Sequence, residues 1–282
     1  LLSKGDEAII PSPYWVSYPD MVRVADAKPV IIETQIENNF KITPHQLQMS
    51  INKNTRLLFL NSPSNPTGSC YTQKELIGLA EILIKYPNII IAADDIYEKI
   101  YWGKSEFYSL VTAAPDLKKQ IITINGVSKC YAMTGWRIGY AGGPKPIINA
   151  MKTIQSQSTS NPCSISQIAA IAALSGDQSC IKNMNVAYKE RNNFLSDNLN
   201  NISGFECRKG EGAFYAFPKV SDAISNSGLK NDIELVDLIL NKAGVVMVPG
   251  TPFGAPGYVR LSFACSMEEL KDAIQRLKEV LT

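Results

Sequence analysis

The stretch Ile89-Ile90-Ile91-Ala92-Ala93-Asp94-Asp95-Ile96-Tyr97 joins an apolar, β-branched run to two adjacent carboxylates. An apolar run of this length, flanked by helical patterns, predicts a strand at residues 89–93 of a largely parallel sheet. Ligands of such sheets bind beyond the carboxyl ends of the strands, and two neighbouring carboxylates are costly to bury without partners. Residues 94–97 are therefore candidates for a binding site, although Asp95 could instead cap the following helix.

Strand and helix patterns alternate from the start of the chain to about residue 150. The pattern predicts further strands at residues 8–10, 29–33, 56–61, 121–125 and 137–141. Thr43 with Gln46, and Thr72 with Glu75, have the spacing of capping boxes, and Pro44 stands at a first helical position. Units of strand and helix in this order indicate the α/β fold class.

The second half of the chain has a different organisation. After Gly143 the pattern predicts helices at residues 147–154, 165–174 and 179–199, with a polar loop at 156–161. Strands are then predicted at residues 214–217, 245–248 and 258–264, before a closing helix that begins at Ser266 with Glu269 as its capping partner. We therefore expect a large domain over residues 1–185 and a smaller α+β domain over residues 186–282.

Composition and residue usage exclude several classes of function. Hydrophobic residues make up 45% and charged residues 19% of the chain, and the net charge is +2 without a basic patch, so we expect a globular protein without a nucleic-acid partner. No apolar run approaches the roughly 20 residues that span a bilayer, so no membrane partner is expected. The single histidine, His45, lies in the opening turn of a predicted surface helix, which argues against Ser-His-Asp or Cys-His catalysis.

The cysteines contain no C-x-x-C pair and have no neighbouring histidines. This distribution predicts neither a zinc site nor a disulfide framework, and it favours a reduced, cytoplasmic setting. The six cysteines are Cys70, Cys130, Cys163, Cys180, Cys207 and Cys265.

Further polar features lie near other predicted strands. The run N-S-P-S-N-P-T-G at residues 61–68 follows one strand, Ser128 and Lys129 follow another, and T-G-W-R at residues 134–137 begins a third. Arg260 lies inside an apolar strand, where a guanidinium requires an anionic partner. Each feature also has an ordinary explanation: a Pro/Gly-rich loop, a solvated lysine, or an internal salt bridge.

The motifs P-Y-W, S-N-P-T-G, D-D-I-Y, S-K, T-G-W-R-I-G-Y and V-R-L-S-F-A occur in this order between residues 13 and 264. Together they resemble the class I/II (fold type I) aminotransferases that depend on pyridoxal 5′-phosphate (PLP), over about residues 6–281. The similarity is greatest to bacterial aspartate aminotransferases, through residues 12–19 and 132–137. The resemblance implies a mostly parallel, seven-stranded-type sheet sandwiched by helices and incomplete at the N-terminus, with a smaller α+β domain after it.

The resemblance also implies how a cofactor would be held. Lys129 matches the lysine that binds PLP covalently and moves the proton on the substrate, and Asp94 matches the anion that faces the pyridine nitrogen. Tyr97 and Asn65 match the donors to the phenolic oxygen of the cofactor. Trp15 matches the ring that stacks on the pyridine.

Three further positions follow from the same resemblance. Ser128 and Arg137 match the residues that hold the phosphate, and Arg260 matches the arginine that binds the substrate α-carboxylate in a bidentate manner. Asn65 and Trp15 would contact the substrate as well. The Asn65–Pro66 bond is a candidate cis peptide, since only X–Pro bonds adopt cis at low cost.

The implied activity is transfer of an amino group from an L-amino acid to a 2-oxo acid by a homodimer. Aspartate and 2-oxoglutarate are the expected substrates, although Ser156 stands where aspartate-specific relatives carry an arginine. An aromatic or alanine aminotransferase is the alternative within the family, and a catalytically silent PLP-binding module is the alternative outside it. Because the chain opens at Leu1 without methionine, we expect a fragment that lacks an N-terminal part of the site.

Overall fold

The computed structural model describes residues 1–281, in which the predicted α/β sheet is present with six strands. In space the strands follow the order β2-β1-β3-β4-β5-β6, and neighbouring strands are parallel except for β5 and β6. The strands are β1 (Glu7–Ser12), β2 (Lys28–Glu33), β3 (Thr55–Asn61), β4 (Ile90–Asp94), β5 (Ile121–Gly126) and β6 (Gly139–Gly142).

Several helices of this part of the chain pack against the sheet. The capping boxes predicted for two of them are confirmed: the Gln46 amide donates to Thr43 Oγ1 at 3.2 Å, and the Thr72 amide donates to Glu75 Oε2 at 2.7 Å. The helices of this part of the chain are α1 (Ser17–Val24), α2 (Pro44–Ser50), α3 (Gln73–Leu83), α4 (Leu110–Ala113), α5 (Lys145–Ser158) and α6 (Ser164–Ser175).

The core under the central strands explains why they form. Leu58 on β3 and Ile91 on β4 are fully buried against Leu76, Leu79 and Leu83 on one face of α3. Full burial of one such side chain contributes about 1.5–3 kcal/mol. The apolar runs read from the sequence are therefore the parts of the strands that bury the most surface.

The remainder of the chain forms a second layer with its own core. A three-stranded antiparallel sheet has the order β7-β9-β8, and the capping box of Ser266 with Glu269 is confirmed at the start of the last helix. The elements are α7 (Ser179–Leu199), β7 (Tyr215–Ala216), α8 (Ser221–Asn226), α9 (Asp232–Ala243), β8 (Val248–Pro249), β9 (Val259–Ser262) and α10 (Met267–Leu281). The domain boundary expected after residue 185 falls inside α7 and stays a prediction.

Two boundaries predicted for the large sheet region are wrong. The strand predicted at residues 137–141 begins only at Gly139, because Arg137 has a left-handed backbone (φ 54°) that closes the turn Thr134–Trp136. The polar loop predicted at residues 156–161 is shorter, since α5 continues to Ser158 and Ser156 Oγ donates to the Thr153 carbonyl as a helical serine does.

The strands of the small sheet are shorter than predicted. The segment at residues 245–248 was predicted as a strand, but β8 begins at Val248 because Val245 and Met247 pack into the core instead of pairing. Regular strand in the segments predicted at residues 214–217 and 258–264 is confined to Tyr215–Ala216 and Val259–Ser262. Beyond it lie an isolated bridge between Lys219 and Tyr258 and a hydrogen bond from the Phe263 amide to the Phe214 carbonyl.

Asp232 connects α9 to the turn at Thr251–Phe253 in the small sheet region. The residue is fully buried at the first position of α9, and its carboxylate accepts hydrogen bonds from the Thr251 amide and hydroxyl, both at 2.8 Å. Thr251 begins the turn that carries Phe253, whose ring lies 5.0 Å from the Arg260 guanidinium carbon. The buried carboxylate therefore supports the wall of the cavity described below.

We expect Asp232→Ala to lower the free energy of unfolding by about 2–3 kcal/mol, since hydrogen bonds to a buried charged group contribute about 1.5–3 kcal/mol. Asp232→Asn keeps one acceptor oxygen and should lose less. Urea unfolding of the two variants and the parent measures both differences. Equal losses for the Asn and Ala variants would contradict the assignment.

Candidate active site

One cavity of about 450 Å³ lies at the carboxyl ends of β3, β4 and β5. Its volume is within the range of small-molecule sites, roughly 300–1,000 Å³. The structure brings all eight residues singled out from the sequence to its wall: Trp15, Asn65, Asp94, Tyr97, Ser128, Lys129, Arg137 and Arg260. Their individual roles stay predictions, but their convergence on one cavity is a structural fact.

Asp94 is the acidic group of the cavity. It ends β4, where its Oδ2 accepts a hydrogen bond of 2.5 Å from the Tyr18 hydroxyl and its Oδ1 accepts one of 3.3 Å from the Ile96 amide. Burial raises the pKa of Asp94, while these two donors and the nearby Lys129 ammonium oppose the rise. The hydrogen bonds thus stabilise the carboxylate form that a pyridinium nitrogen requires.

Sequence reasoning missed Tyr18. The residue is the second of α1, three positions after Trp15. It is buried between Trp15 (ring centroids 5.4 Å apart, edge to face) and Phe59 (4.6 Å, stacked). Burial and the Asp94 carboxylate raise its pKa well above the usual range, so the phenol stays a donor. The signal available in the sequence was its place within residues 12–19, one of the two segments in which the resemblance is greatest.

Lys129 follows β5 and is half-buried in the same cavity. Burial lowers the pKa of its ammonium, the positive charges of Arg137 and Arg260 lower it further, and Asp94 opposes them. A lower pKa leaves more of the free amine at neutral pH, which is the form that forms a covalent bond with a carbonyl.

Arg137 and Ser128 form a cationic, hydroxyl-bearing end of the cavity. Arg137 is exposed, and its left-handed backbone sets its side chain, whose Nη1 donates to the Thr134 carbonyl at 2.9 Å. The rest of the planar guanidinium is free to meet two oxygens of a phosphate.

Arg260 reaches the cavity from the small sheet. Its Nη1 donates to Asn65 Oδ1 at 2.9 Å, and its guanidinium carbon lies 4.5 Å from the centroid of the Tyr215 ring. Within residues 1–281 no carboxylate forms an ion pair with Arg260, so the internal salt bridge considered as an alternative is wrong. Its Nε is buried without a hydrogen-bond partner in that range, and the half-buried residue lines the cavity. A carboxylate bound there could pair with the guanidinium.

The N-P-T-G loop is tied to both sheets. Asn61 Oδ1 accepts from the Asn65 amide at 2.8 Å, while Asn61 Nδ2 donates to the Asp94 carbonyl at 2.8 Å. The Gly68 carbonyl accepts from the amides of Glu211 and Gly212. Asn61 was not assigned a role from the sequence, because an asparagine at a strand end has no distinguishing pattern.

The predicted cis peptide at Asn65–Pro66 is confirmed, and the bonds Ser12–Pro13 and Ser62–Pro63 are cis as well. Tyr97 is buried, with its hydroxyl 3.0 Å from that of Tyr215. Burial, followed by the neighbouring Tyr215, raises the pKa of Tyr97, so it too stays a donor.

Asp95 does not cap a helix, contrary to one interpretation of the sequence. Its side chain is buried, and its Oδ2 has no hydrogen-bond partner in the described part of the chain. Burial, with the charges of Glu98 and Asp94, raises its pKa well above the usual range. The two adjacent aspartates thus have different environments, with Asp94 hydrogen-bonded at the cavity and Asp95 enclosed in protein.

The cavity fits PLP in its charge arrangement. The Asp94 carboxylate, hydrogen-bonded by Tyr18, could pair with the pyridinium nitrogen of PLP, and the Lys129 amine, whose pKa is lowered, could bind its aldehyde. The Arg137 guanidinium and the Ser128 hydroxyl could hold its phosphate. No group of three or more His, Cys, Asp or Glu side chains within residues 1–281 is arranged to bind a metal ion. No helix in that range is long and apolar enough to cross a membrane.

Comparison with known proteins identifies the class. Residues 1–277 match the family described as aminotransferase class I and II. The chain is 53% identical to aspartate/prephenate aminotransferase of Nitrosomonas europaea over 100% of its own length and 72% of that protein. It is 49% identical to aspartate aminotransferase of Geobacillus stearothermophilus, over 98% of this chain and 70% of that one.

Solved structures agree with the sequence comparison. The aspartate aminotransferase of Rhizobium meliloti superposes with a TM-score of 0.95 at 42% identity, over 100% of this chain and 72% of that one. An aromatic aminotransferase of Pyrococcus horikoshii gives 0.93 at 35% identity, over 100% and 74%. This chain therefore belongs to the class I and II aminotransferases, a family of PLP-dependent enzymes. The fold, enzyme class and cofactor predicted from the motifs are confirmed.

The environment of Asp95 predicts a pH-dependent stability. A raised folded-state pKa means that the folded protein holds a proton that the unfolded chain releases, so stability falls as pH rises above the unfolded value of about 3.9. Asp95→Asn removes this titration. We therefore expect the free energy of unfolding of the variant, relative to the parent, to increase between pH 4.5 and 7.5.

Denaturant unfolding at several pH values measures this difference, with Asp116→Asn as the exposed control. A difference between Asp95→Asn and the parent that stays constant with pH would contradict the prediction.

Proposed function

We propose that this aminotransferase takes its amino group from aspartate and passes it to 2-oxoglutarate. The observation that carries the proposal is the Arg260 guanidinium, which lacks an ion-pair partner within residues 1–281 and lines the same cavity as the Lys129 amine. A substrate α-carboxylate bound at Arg260 would place its α-carbon within the cavity that Lys129 shares. The names of the relatives support aspartate as the donor.

Each side chain of the cavity would have a separate role in binding the cofactor or in moving the proton. PLP, when bound, withdraws electrons from the α-carbon of the substrate. Lys129 would then take the α-proton and return it as general base and acid, Asp94 would keep the pyridine nitrogen protonated, and Arg137 with Ser128 would hold the phosphate. Tyr97 and Asn65 would donate hydrogen bonds to the phenolic oxygen, and Trp15 would cover the ring.

Prephenate is a second candidate amino acceptor. The relative that is 53% identical to this chain is named aspartate/prephenate aminotransferase. Prephenate is a 2-oxo acid with a second carboxylate, so its α-carboxylate would meet Arg260 in the same way. The partly exposed indole of Trp15 offers apolar area beside the cavity for its ring.

We also propose that the enzyme is a cytoplasmic homodimer. Exposed apolar side chains of α6, namely Ile165, Ile168, Ile171 and Leu174, support an interface on that face. Light scattering of the purified protein would measure the mass in solution, and a monomer at micromolar concentration would refute the dimer.

A substrate panel tests the activity. Aspartate, glutamate, phenylalanine and alanine are each offered with 2-oxoglutarate, or with oxaloacetate where glutamate is the donor, and prephenate is then offered as the acceptor. We expect aspartate and glutamate to convert the absorbance of bound PLP and to turn over fastest. Faster conversion by phenylalanine or alanine would refute the proposed donor, and no transfer to prephenate would refute the second acceptor.

Lys129→Ala should lower kcat for transamination by about 10²–10⁴-fold, because the base that moves the α-proton is lost. Borohydride reduction followed by mass spectrometry should fix PLP on residue 129 of the parent and not of the variant. Lys182→Ala, on the exposed face of α7, is the control and should retain both properties. Fixation of PLP at another lysine of the parent would contradict the assignment.

Arg260→Lys should raise KM for aspartate by about 10-fold or more, since an ammonium cannot form the bidentate contact of a guanidinium. Steady-state kinetics with varied aspartate measures the change. Arg276→Lys, in a surface ion pair with Asp272, serves as the matched control. An unchanged KM for Arg260→Lys would exclude Arg260 as the carboxylate-binding group.

A further inference from the structure

Tyr215 is a residue of the small sheet that reaches the cavity of the large one. It begins β7, which pairs with β9, the strand that carries Arg260. Its side chain is only 7% exposed and lines the cavity beside Tyr97 and Lys129. The sequence pattern had marked its segment only as a strand.

The hydroxyl and the ring of Tyr215 make two separate contacts. The hydroxyl oxygen lies 3.0 Å from that of Tyr97, with the two rings edge to face. The ring face lies 4.5 Å from the guanidinium carbon of Arg260, which is enclosed on another side by Phe253. One side chain therefore touches a group on the cofactor side of the cavity and a group on the substrate side.

The hydrogen bond between the two phenols can run in either direction. A phenol carries one hydrogen, so Tyr97 can donate either to Tyr215 or into the cavity. When Tyr97 donates to a ligand, its oxygen is left as an acceptor, and the Tyr215 hydroxyl is in place to donate to it. In a buried setting such a chain strengthens each hydrogen bond by about 10–30%.

We propose that Tyr215 is a positioning residue that acts through two neighbours: its hydroxyl donates to Tyr97 and strengthens the Tyr97 hydrogen bond to the phenolic oxygen of PLP, while its ring supports the Arg260 guanidinium. The proposal rests on the role proposed for Tyr97 and deepens it. It assigns the coupling between cofactor and substrate sides to a residue of the small sheet.

Tyr215→Phe removes the hydroxyl and keeps the ring. In the PLP-loaded enzyme we expect the pKa of the cofactor chromophore, followed by pH titration of its visible absorbance, to rise by about 0.3–0.5 units, because the deprotonated phenolic oxygen is less well stabilised. Tyr97→Phe should give a larger rise, and the double variant should give no more than Tyr97→Phe alone.

The ring contact predicts a split between the kinetic constants. Tyr215→Phe should lower kcat by about 3-fold and leave KM for aspartate nearly unchanged, whereas Tyr215→Leu should also raise KM, because the support of Arg260 is lost. Tyr258→Phe is the control, since Tyr258 stacks on Phe217 at 5.2 Å outside the cavity wall and should shift neither the titration nor KM.

The outcomes distinguish a failure of the role proposed for Tyr97 from a failure of the role proposed for Tyr215. If Tyr97→Phe leaves the chromophore pKa unchanged, the proposed role of Tyr97 fails, and the role of Tyr215 fails with it. If Tyr97→Phe shifts the pKa but Tyr215→Phe does not, or if the two shifts add in the double variant, only the proposal for Tyr215 is overturned. An equal KM for the Phe and Leu variants would remove the ring's part in it.

Discussion

The register of three parallel strands is the constraint on which the cavity depends. Asn61 on β3 pairs with Asp94 on β4, which in turn pairs with Ile124 on β5, so the strands end at one edge of the sheet. Because side chains alternate between the two faces of a strand, a slip of one residue would exchange Asp94 for Asp95 at the cavity. The exchange would replace a carboxylate supported by Tyr18 with one that has no partner for its Oδ2 within residues 1–281.

The second sheet completes the site through a small number of polar contacts. Arg260 donates to Asn65, and the Gly68 carbonyl accepts from the amides that precede β7. The close approach leaves no room for a larger residue, since a Cβ on Gly68, already at a φ of 67°, would lie 2.9 Å from the Gly212 carbonyl oxygen. The position of Arg260 is therefore set by backbone contact between the two sheets as well as by side chains.

Much of the fold could be predicted from the sequence because strand runs, capping boxes and the order of motifs are local signals. The five parallel strands and the helix Ser179–Leu199 are of this kind. The strand predicted to begin at Arg137 begins later because the left-handed backbone of Arg137 prevents strand pairing there. No pattern of side chains indicates that a residue other than glycine adopts this conformation. Tyr18 and Tyr215 were missed as site residues because their importance arises from contacts across 76 and 118 positions of the chain, which periodicity does not report.

The burial of Asp95 has a consequence for the electrostatic potential of the cavity. Asp95 is enclosed in protein and does not line the cavity, so Asp94 is the acidic side chain among the lining groups, against the guanidinium groups of Arg137 and Arg260. The mouth therefore carries a positive field within low-dielectric walls, which concentrates anions before any specific contact forms. A phosphate-bearing cofactor and dicarboxylic acids are steered inward by the same imbalance, and added salt would slow their capture.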